Sequence, residues 1–470
     1  MHAEHAATGR GPLLDAPDVS LRFGAAGRGT APGVATVWHA ALDAVAGFRW
    51  WRMAAATMLT GLLAGVGGIA LTELLHGVQH LAFGYTRGDF LAGVLAAPGP
   101  RRVAALTGGG LLVGAGWWWH RRRTGAQDVS VTHALRTPGT RLPVAGTIVD
   151  AVLQVVAVGA GASLGREGAP RQVGAALGGW IAGRIGVTPS QRRTLLACGA
   201  GAGLAAVYNV PAGGALFTLE ILLVSAKLGQ VVPAALSAVT ATVTAWTVLG
   251  AQPTYRVEPV HYSTAVLTGA LVVGPLAGVA GAGFHRLADL ARTHAATGAW
   301  TLLAVPGCFT ALGAVSIAYP QVLGNGKAAA YLAFTGSVGA GLGVVLLVLK
   351  PVATAACLSS GAIGGLLTPS LATGALLGAA LGHLLGGAGS GAFVGAYAVL
   401  GAAAVLAVTQ RAPLTAIALT LEFLHTGQSV IAPILVAVTF ASATAWVIDP
   451  DTLPHLLRAA HLPTTWGTPT

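Results

Sequence analysis

The 470-residue sequence predicts an all-α polytopic membrane protein, and three features predict it: an apolar composition, a series of membrane-length apolar runs, and an internal repeat. Apolar residues make up 54% of the chain and charged residues 9%, against roughly 25% charged in a soluble domain. A surface so poor in charge belongs in lipid.

Apolar runs occupy residues 53–75, 102–119, 231–249, 265–284, 338–349 and 430–447. Several approach the roughly 20 residues that a helix needs to cross about 30 Å of hydrocarbon. Residues 194–207 and 391–408 are apolar but punctuated by glycine, and read as short, broken helices. Such breaks survive in a membrane only where protein or a polar cavity covers the exposed backbone. Glycine supplies 68 residues, which would let helix backbones approach closely in a dense bundle. The plan that follows is a loosely ordered cytoplasmic tail over 1–45, a transmembrane domain over 46–457, and a short tail over 458–470 without a soluble regulatory domain. The transmembrane domain divides into halves of about 46–250 and 260–457, by the repeat described below.

The formal net charge is +11, but no basic stretch has the solvated, interleaved pattern of a nucleic-acid groove, so nucleic acid is excluded as a partner. The charge is topological instead. Arg49, Arg52, Arg121, Arg122 and Arg123 fall on one side of the bilayer, and Arg87, Arg101 and Arg102 on the other. The larger set predicts a cytoplasmic N-terminus for a multi-pass protein of the cell membrane. Trp50, Trp51 and Trp117 to Trp119 lie beside that set, as an interfacial aromatic belt would. Cys198, Cys308 and Cys357 lie in apolar segments far apart in sequence and read as small buried hydrophobes, with no disulfide or metal framework.

Two segments of the first half recur in order in the second. Gly165-Arg166-Glu167-Gly168-Ala169-Pro170 and Gly364-Gly365-Leu366-Leu367-Thr368-Pro369 share a glycine and proline at the same spacing, and each leads into a Gly/Ala/Leu-rich helix. Pro211 to Glu220 matches Pro413 to Glu422, with proline, threonine, leucine and glutamate in register. Broken segments at corresponding positions of two halves point to a site at their interface near the bilayer midplane. Each would present a helix N-terminus, whose N–H groups and positive dipole end favour an anion.

Arg166 and Glu167 stand in apolar surroundings. An ionised side chain at the membrane centre costs about 2.5–3.5 kcal/mol even on the lenient insertion scale, so it calls for a role. One reading is an internal Arg166–Glu167 ion pair. The other makes the Glu167 carboxylate a tethered competitor that occupies the anion path when ionised and leaves when protonated, giving gating or proton exchange.

The segment GREGAPRQVG, the GGLLTP that follows Ser359-Ser360-Gly361, the stretch GAGLAAVYNVPAGGALFTLE and RAPLTAIALTLE together resemble the ClC chloride channel and transporter family over roughly residues 50–457. The resemblance implies about 16–18 short tilted helices in two inverted-topology repeats, and a homodimer with one chloride pathway per subunit. Bound chloride ions are expected, with no other cofactor. By the same resemblance Glu167 is the gating glutamate, beside a structural Arg166. Gly165, Gly168 and Gly365 shape the anion site, with the N–H groups of Leu366 and Leu367 as donors. Lys350 takes the place of a basic residue upstream.

Three departures from the family pattern bear on mechanism. Gly125-Ala126-Gln127-Asp128-Val129 stands where the family has GSGIP, so Ala126 and Gln127 would line the central anion position without its serine. The tyrosine near the last helix has no counterpart, Leu453-Pro454-His455 occupying that region. Ile221 follows Glu220 where proton-coupled members carry an inner glutamate, which favours channel-like or weakly coupled transport. Glu220 and Lys350 remain as candidates for a non-standard proton path in an antiporter, although Glu220 also suits a helix brace. A rival reading from another class is a metal-dependent membrane enzyme using Glu73, His76 and His80, which share a helix face. No HExxH completes it, and the sequence predicts a transporter rather than an enzyme.

Overall fold

A computed structural model describes residues 50–86, 88–124, 130–137, 140–257, 263–386, 391–425 and 428–450. The tails over 1–45 and 458–470, together with Arg49, Arg87, Ala126, Gln127, Asp128 and His455, lie outside the described residues. The described chain is helical, as predicted, in seventeen α-helices. In the first half these are α1 (Trp50–Phe83), α2 (Phe90–Ala96), α3 (Gly99–Thr124), α4 (Val131–Arg136), α5 (Val144–Gly159), α6 (Gly168–Ile185), α7 (Pro189–Tyr208), α8 (Pro211–Leu216) and α9 (Leu228–Leu249). α8 continues as a π-helical turn, Phe217–Leu223. The second half contributes α10 (Thr264–Thr293), α11 (Thr301–Ala318), α12 (Lys327–Phe334), α13 (Ala340–Ser359), α14 (Leu367–Gly386), α15 (Gly391–Gln410), α16 (Pro413–Leu424) and α17 (Ile431–Ile448).

Except for α2, each helix of the first half has a counterpart in the second, in the same order. The local devices repeat as well. The turns after α5 and α13 each contain a glycine in the left-handed region, Gly161 (φ 115°) and Gly361 (φ 91°), a conformation that a side chain would strain. α8 and α16 each open on a proline, whose missing N–H is no loss in a first turn.

Eight of the described helices are long and apolar enough to cross a bilayer. In their most apolar windows α14 and α15 are 72% and 83% buried, against 33% for α9 and α17. The former pair is therefore interior, and the latter presents apolar side chains such as Val243, Trp246 and Phe440 outward, as a helix facing lipid should.

Two expectations change. The segment 194–207 is not broken: it lies inside the unbroken twenty-residue α7, and 391–408 lies inside α15. Their glycines serve close packing instead. A Cβ on Gly199 would overlap the Gly174 carbonyl of α6, and one on Gly401 the Gly374 carbonyl of α14, so the same glycine contact seals α6 on α7 and α14 on α15. Nor do Trp117 to Trp119 form one belt. Trp117 is fully buried and donates its indole N–H to Asp150 Oδ1 at 2.9 Å. Trp118 and Trp119 instead lie under the Arg122 and Arg123 guanidinium groups at 4.8 and 4.4 Å. The three cysteines are free thiols, and Cys198 and Cys357 are buried.

Candidate functional site

The two copies of the glycine motif meet. Gly165 N–H donates to the Gly365 carbonyl and Gly365 N–H to the Gly165 carbonyl, both at 2.8 Å. This antiparallel bridge brings the N-termini of α6 and α14 together. Pro170 and Pro369 sit third in their helices, so the free N–H groups left at each end belong to the two residues before them. The positive ends of two helix dipoles thus flank one small volume.

Glu167 fills it. The residue sits at the N-cap position of α6 but does not cap that helix. Its side chain is fully buried and crosses to the other half. Oε1 accepts the Leu367 N–H at 2.6 Å. Oε2 accepts the Thr368 hydroxyl at 3.0 Å and the Tyr208 hydroxyl at 3.4 Å. A Cβ on Gly165 or Gly365 would overlap this carboxylate, so the glycines of the motif leave the volume that the acid occupies. Of the two amides singled out in the sequence, Leu367 contacts Glu167, while Leu366 directly precedes α14 and is 8% exposed.

Arg166 forms no ion pair with Glu167 in this geometry. Its guanidinium lies 5.0 Å over the Tyr208 ring, and Nη2 donates to the Val207 carbonyl at 3.5 Å. Arg171 Nε donates to the Glu167 carbonyl at 2.9 Å. The arginines thus brace the backbone and leave the carboxylate to Leu367 and Thr368 of the opposing half and to Tyr208 of its own. Gly168 follows, with its Cα against the Gln154 side-chain oxygen of α5.

Glu220 is used differently. Its Oε2 accepts both the Thr415 N–H and hydroxyl at 2.6 Å, and Oε1 the Leu414 N–H at 3.2 Å, capping α16. Glu422 returns the contact, accepting Ala212 N–H at 2.9 Å and Gly213 N–H at 2.6 Å at the start of α8. Ile221 packs on the edge of the main apolar cluster. Lys350 is fully buried, and its ammonium donates to Ser163 Oγ at 2.8 Å and to the carbonyls of Val322 and Gly324 at 3.0 and 2.6 Å. The structure does not bring Glu220, Ile221 or Lys350 into hydrogen-bond contact with Glu167. Glu73 and His76 face each other at 3.8 Å, while His80 stacks edge-on to Tyr85.

Tyr208 and Thr368 are the residues that the sequence reading passed over. Tyr208 ends α7 as a buried polar residue, and its hydroxyl also pairs with Thr368 Oγ1 at 3.0 Å. The available signal was a lone hydroxyl at the end of an apolar helix; the same position of the second half is Gln410. Every group that hydrogen-bonds the Glu167 carboxylate can donate to it. The same set would hold a small anion once the acid moved away.

A family model described as voltage gated chloride channel matches residues 109–446. A putative chloride channel protein, ClcB-like, of Ralstonia nicotianae is 34% identical over 336 residues, covering 67% of this chain and 75% of that protein. An H(+)/Cl(-) exchange transporter, ClcA, of Vibrio cholerae serotype O1 is 31% identical over 308 residues, and the alignment spans 61% of this chain and 64% of the transporter. Among solved structures, a slow cyanobacterial Cl-/H+ antiporter superposes with a TM-score of 0.74 at 24% identity, over 87% of this chain and 97% of that one. A CLC-type fluoride/proton antiporter superposes with a TM-score of 0.68 at 21% identity, over 84% and 95%.

Proposed function

Because the chain belongs to the voltage gated chloride channel family, we propose that it carries chloride across the cell membrane through a pathway closed by the Glu167 carboxylate. The observation that carries this reading is the occupancy of the Leu367 N–H and the Thr368 and Tyr208 hydroxyls by that acid. A chloride ion and a carboxylate oxygen compete for the same donors. Protonation removes the negative charge that holds the side chain there, so flux rises as pH falls. No covalent chemistry is involved, and the only bound ligand is the transported ion.

The protein acts as a homodimer with one pathway in each subunit and a cytoplasmic N-terminus. Cross-linking in membranes, giving twice the subunit mass, tests the assembly. Chloride efflux from liposomes tests the pathway: Glu167→Gln should remove the pH dependence of the flux, and a variant that keeps the wild-type profile would refute the assignment.

A second reading is chloride–proton exchange by a non-standard inner path. It is favoured by the relatives named as exchangers and by a buried carboxylate on α5, Asp150, in a span where an acid is costly. Chloride efflux and proton uptake recorded on one liposome preparation separate the two readings.

A further inference from the structure

The buried Asp150 and Gln154 and the half-buried Gln172 form a polar chain that the closing of the pathway leaves unused. Asp150 is 7% exposed and Gln154, one turn along α5, is 1% exposed. Gln154 Nε2 donates to Asp150 Oδ2 at 2.8 Å and to Gln172 Oε1 at 2.7 Å. The Asp150 carboxylate, which only accepts, fixes this end of the Gln154 amide as nitrogen. Its oxygen therefore faces away from that carboxylate, against Gly168, the residue after Glu167. There Gln154 Oε1 is buried and accepts no hydrogen bond, and buried acceptors are rarely left so.

This orphaned oxygen offers an acceptor to a protonated Glu167 that has left its seat. In its seat the carboxylate meets the Leu367 N–H, which can only donate, and the Thr368 and Tyr208 hydroxyls, which donate to an anion but bond to each other when it leaves. A neutral carboxyl has an O–H to donate and needs an acceptor. Gly365 N lies 3.8 Å from the place a Gly168 Cβ would take, next to the Gln154 oxygen, and Gly365 itself borders the Glu167 carboxylate. At the other end, Asp150 lines a cavity of about 480 Å³ with His120, Arg141, Ser130 and Gln172. Cavity, Asp150, Gln154 and Glu167 thus follow one another.

We propose that Asp150 is the inner proton-transfer residue of this protein and that Gln154 positions the protonated Glu167 carboxyl to exchange with it. The proposal rests on the exchange reading. The proton leaves the Asp150 carboxyl, which becomes a carboxylate, and reaches the Glu167 carboxylate through water, forming the neutral acid that vacates the anion seat. Hydronium from the cavity then restores the Asp150 proton, and only O–H bonds form and break. Groups bonded to Asp150 include Trp117 from α3 and Gln154 on α5, and Gln172 from α6, His120 and Arg141 line the same cavity. The groups around Glu167 are Arg166 and Arg171, Tyr208 from α7 and Thr368 from α14. The path needs neither Glu220 nor a glutamate at Ile221.

A purely structural Asp150, one that only anchors the Trp117 indole, is separable from this role because asparagine keeps an oxygen for that bond. The full chain is reconstituted in liposomes, and chloride efflux and proton uptake are followed together for wild type, Asp150→Asn, Asp150→Glu and Gln154→Leu. Asp150→Asn should lower the proton-to-chloride ratio at least tenfold, Asp150→Glu should restore much of it, and Gln154→Leu should lower it with Asp150 intact. If wild type couples and both Asp150→Asn and Gln154→Leu keep its ratio, the proposal falls while exchange stands. If wild type moves chloride with no protons, the exchange reading falls and takes this proposal with it, leaving chloride transport in place.

Discussion

Glu167 and the pair Glu220 and Glu422 are acids that each reach across the chain to the N-terminus of a helix in the other half, yet the repeat treats them differently. Glu220 caps α16 and Glu422 caps α8, so that device is two-fold and each half locks the other. Glu167 reaches α14, but its counterpart in the aligned motif is Leu366, and nothing returns the contact. The lock takes two backbone N–H groups per carboxylate. The Glu167 seat supplies one, and completes itself with hydroxyls. A bond made twice by symmetry holds the frame, whereas a bond made once, with no partner returned from the other half, can be broken in operation.

The strongest way to test that difference is to remove the unreturned acid. Glu167→Gln keeps the shape of the side chain but cannot be an anion at any pH. Liposome efflux should then lose its rise toward low pH, and proton uptake should fall to background. The same measurement on Gly365→Ala comes next in size. A methyl group there would overlap the Glu167 carboxylate, so the acid is pushed from its seat while keeping its chemistry. Efflux at neutral pH should increase over wild type, approaching the Glu167→Gln rate; an unchanged rate would show that the seat is not the closed state.

Breaking the lock should cost stability and nothing so specific. Glu220→Ala and Glu422→Ala each strand two N–H groups at the start of a helix, and a stranded buried donor costs about 1–3 kcal/mol. Thermal unfolding in detergent should show both variants lowered, and Glu220→Ala the more, because Glu220 is fully buried and also accepts the Thr415 hydroxyl. A drop confined to one of them would mean that the repeat is asymmetric at this point too.

The frame was legible in the sequence because it is periodic. Glycine-to-proline spacing and the matched Pro211–Glu220 and Pro413–Glu422 segments give the two-fold plan before any coordinate. The sequence could also place Glu167, since an acid in an apolar span is conspicuous. What it could not give was the partner set. Tyr208 and Thr368 lie 41 and 201 residues from Glu167, and no local pattern marks a hydroxyl as facing one acid rather than water. The unbroken α7 was missed for a related reason. Its glycines weaken a helix taken alone, but here they let α6 pack at backbone distance, a gain that exists only once both helices are present.

The smallest expected effect is also the most specific to the seat. At 3.4 Å the Tyr208 hydroxyl is a long partner for Glu167 Oε2, and it is shared with Thr368 at 3.0 Å. Tyr208→Phe keeps the ring under Arg166, whose attraction to the aromatic face needs no hydroxyl. The loss should therefore fall near the low end for a hydrogen bond, about 0.5 kcal/mol, or about twofold in the balance between seated and displaced acid. The sign follows from which form is weakened. The hydroxyl donates to the ionised acid, so its removal disfavours the seated carboxylate and moves the rise of flux toward higher pH. Efflux at neutral pH should roughly double. A shift toward lower pH would mean that the tyrosine stabilises the displaced acid instead, and that Glu167 leaves its seat by way of α7.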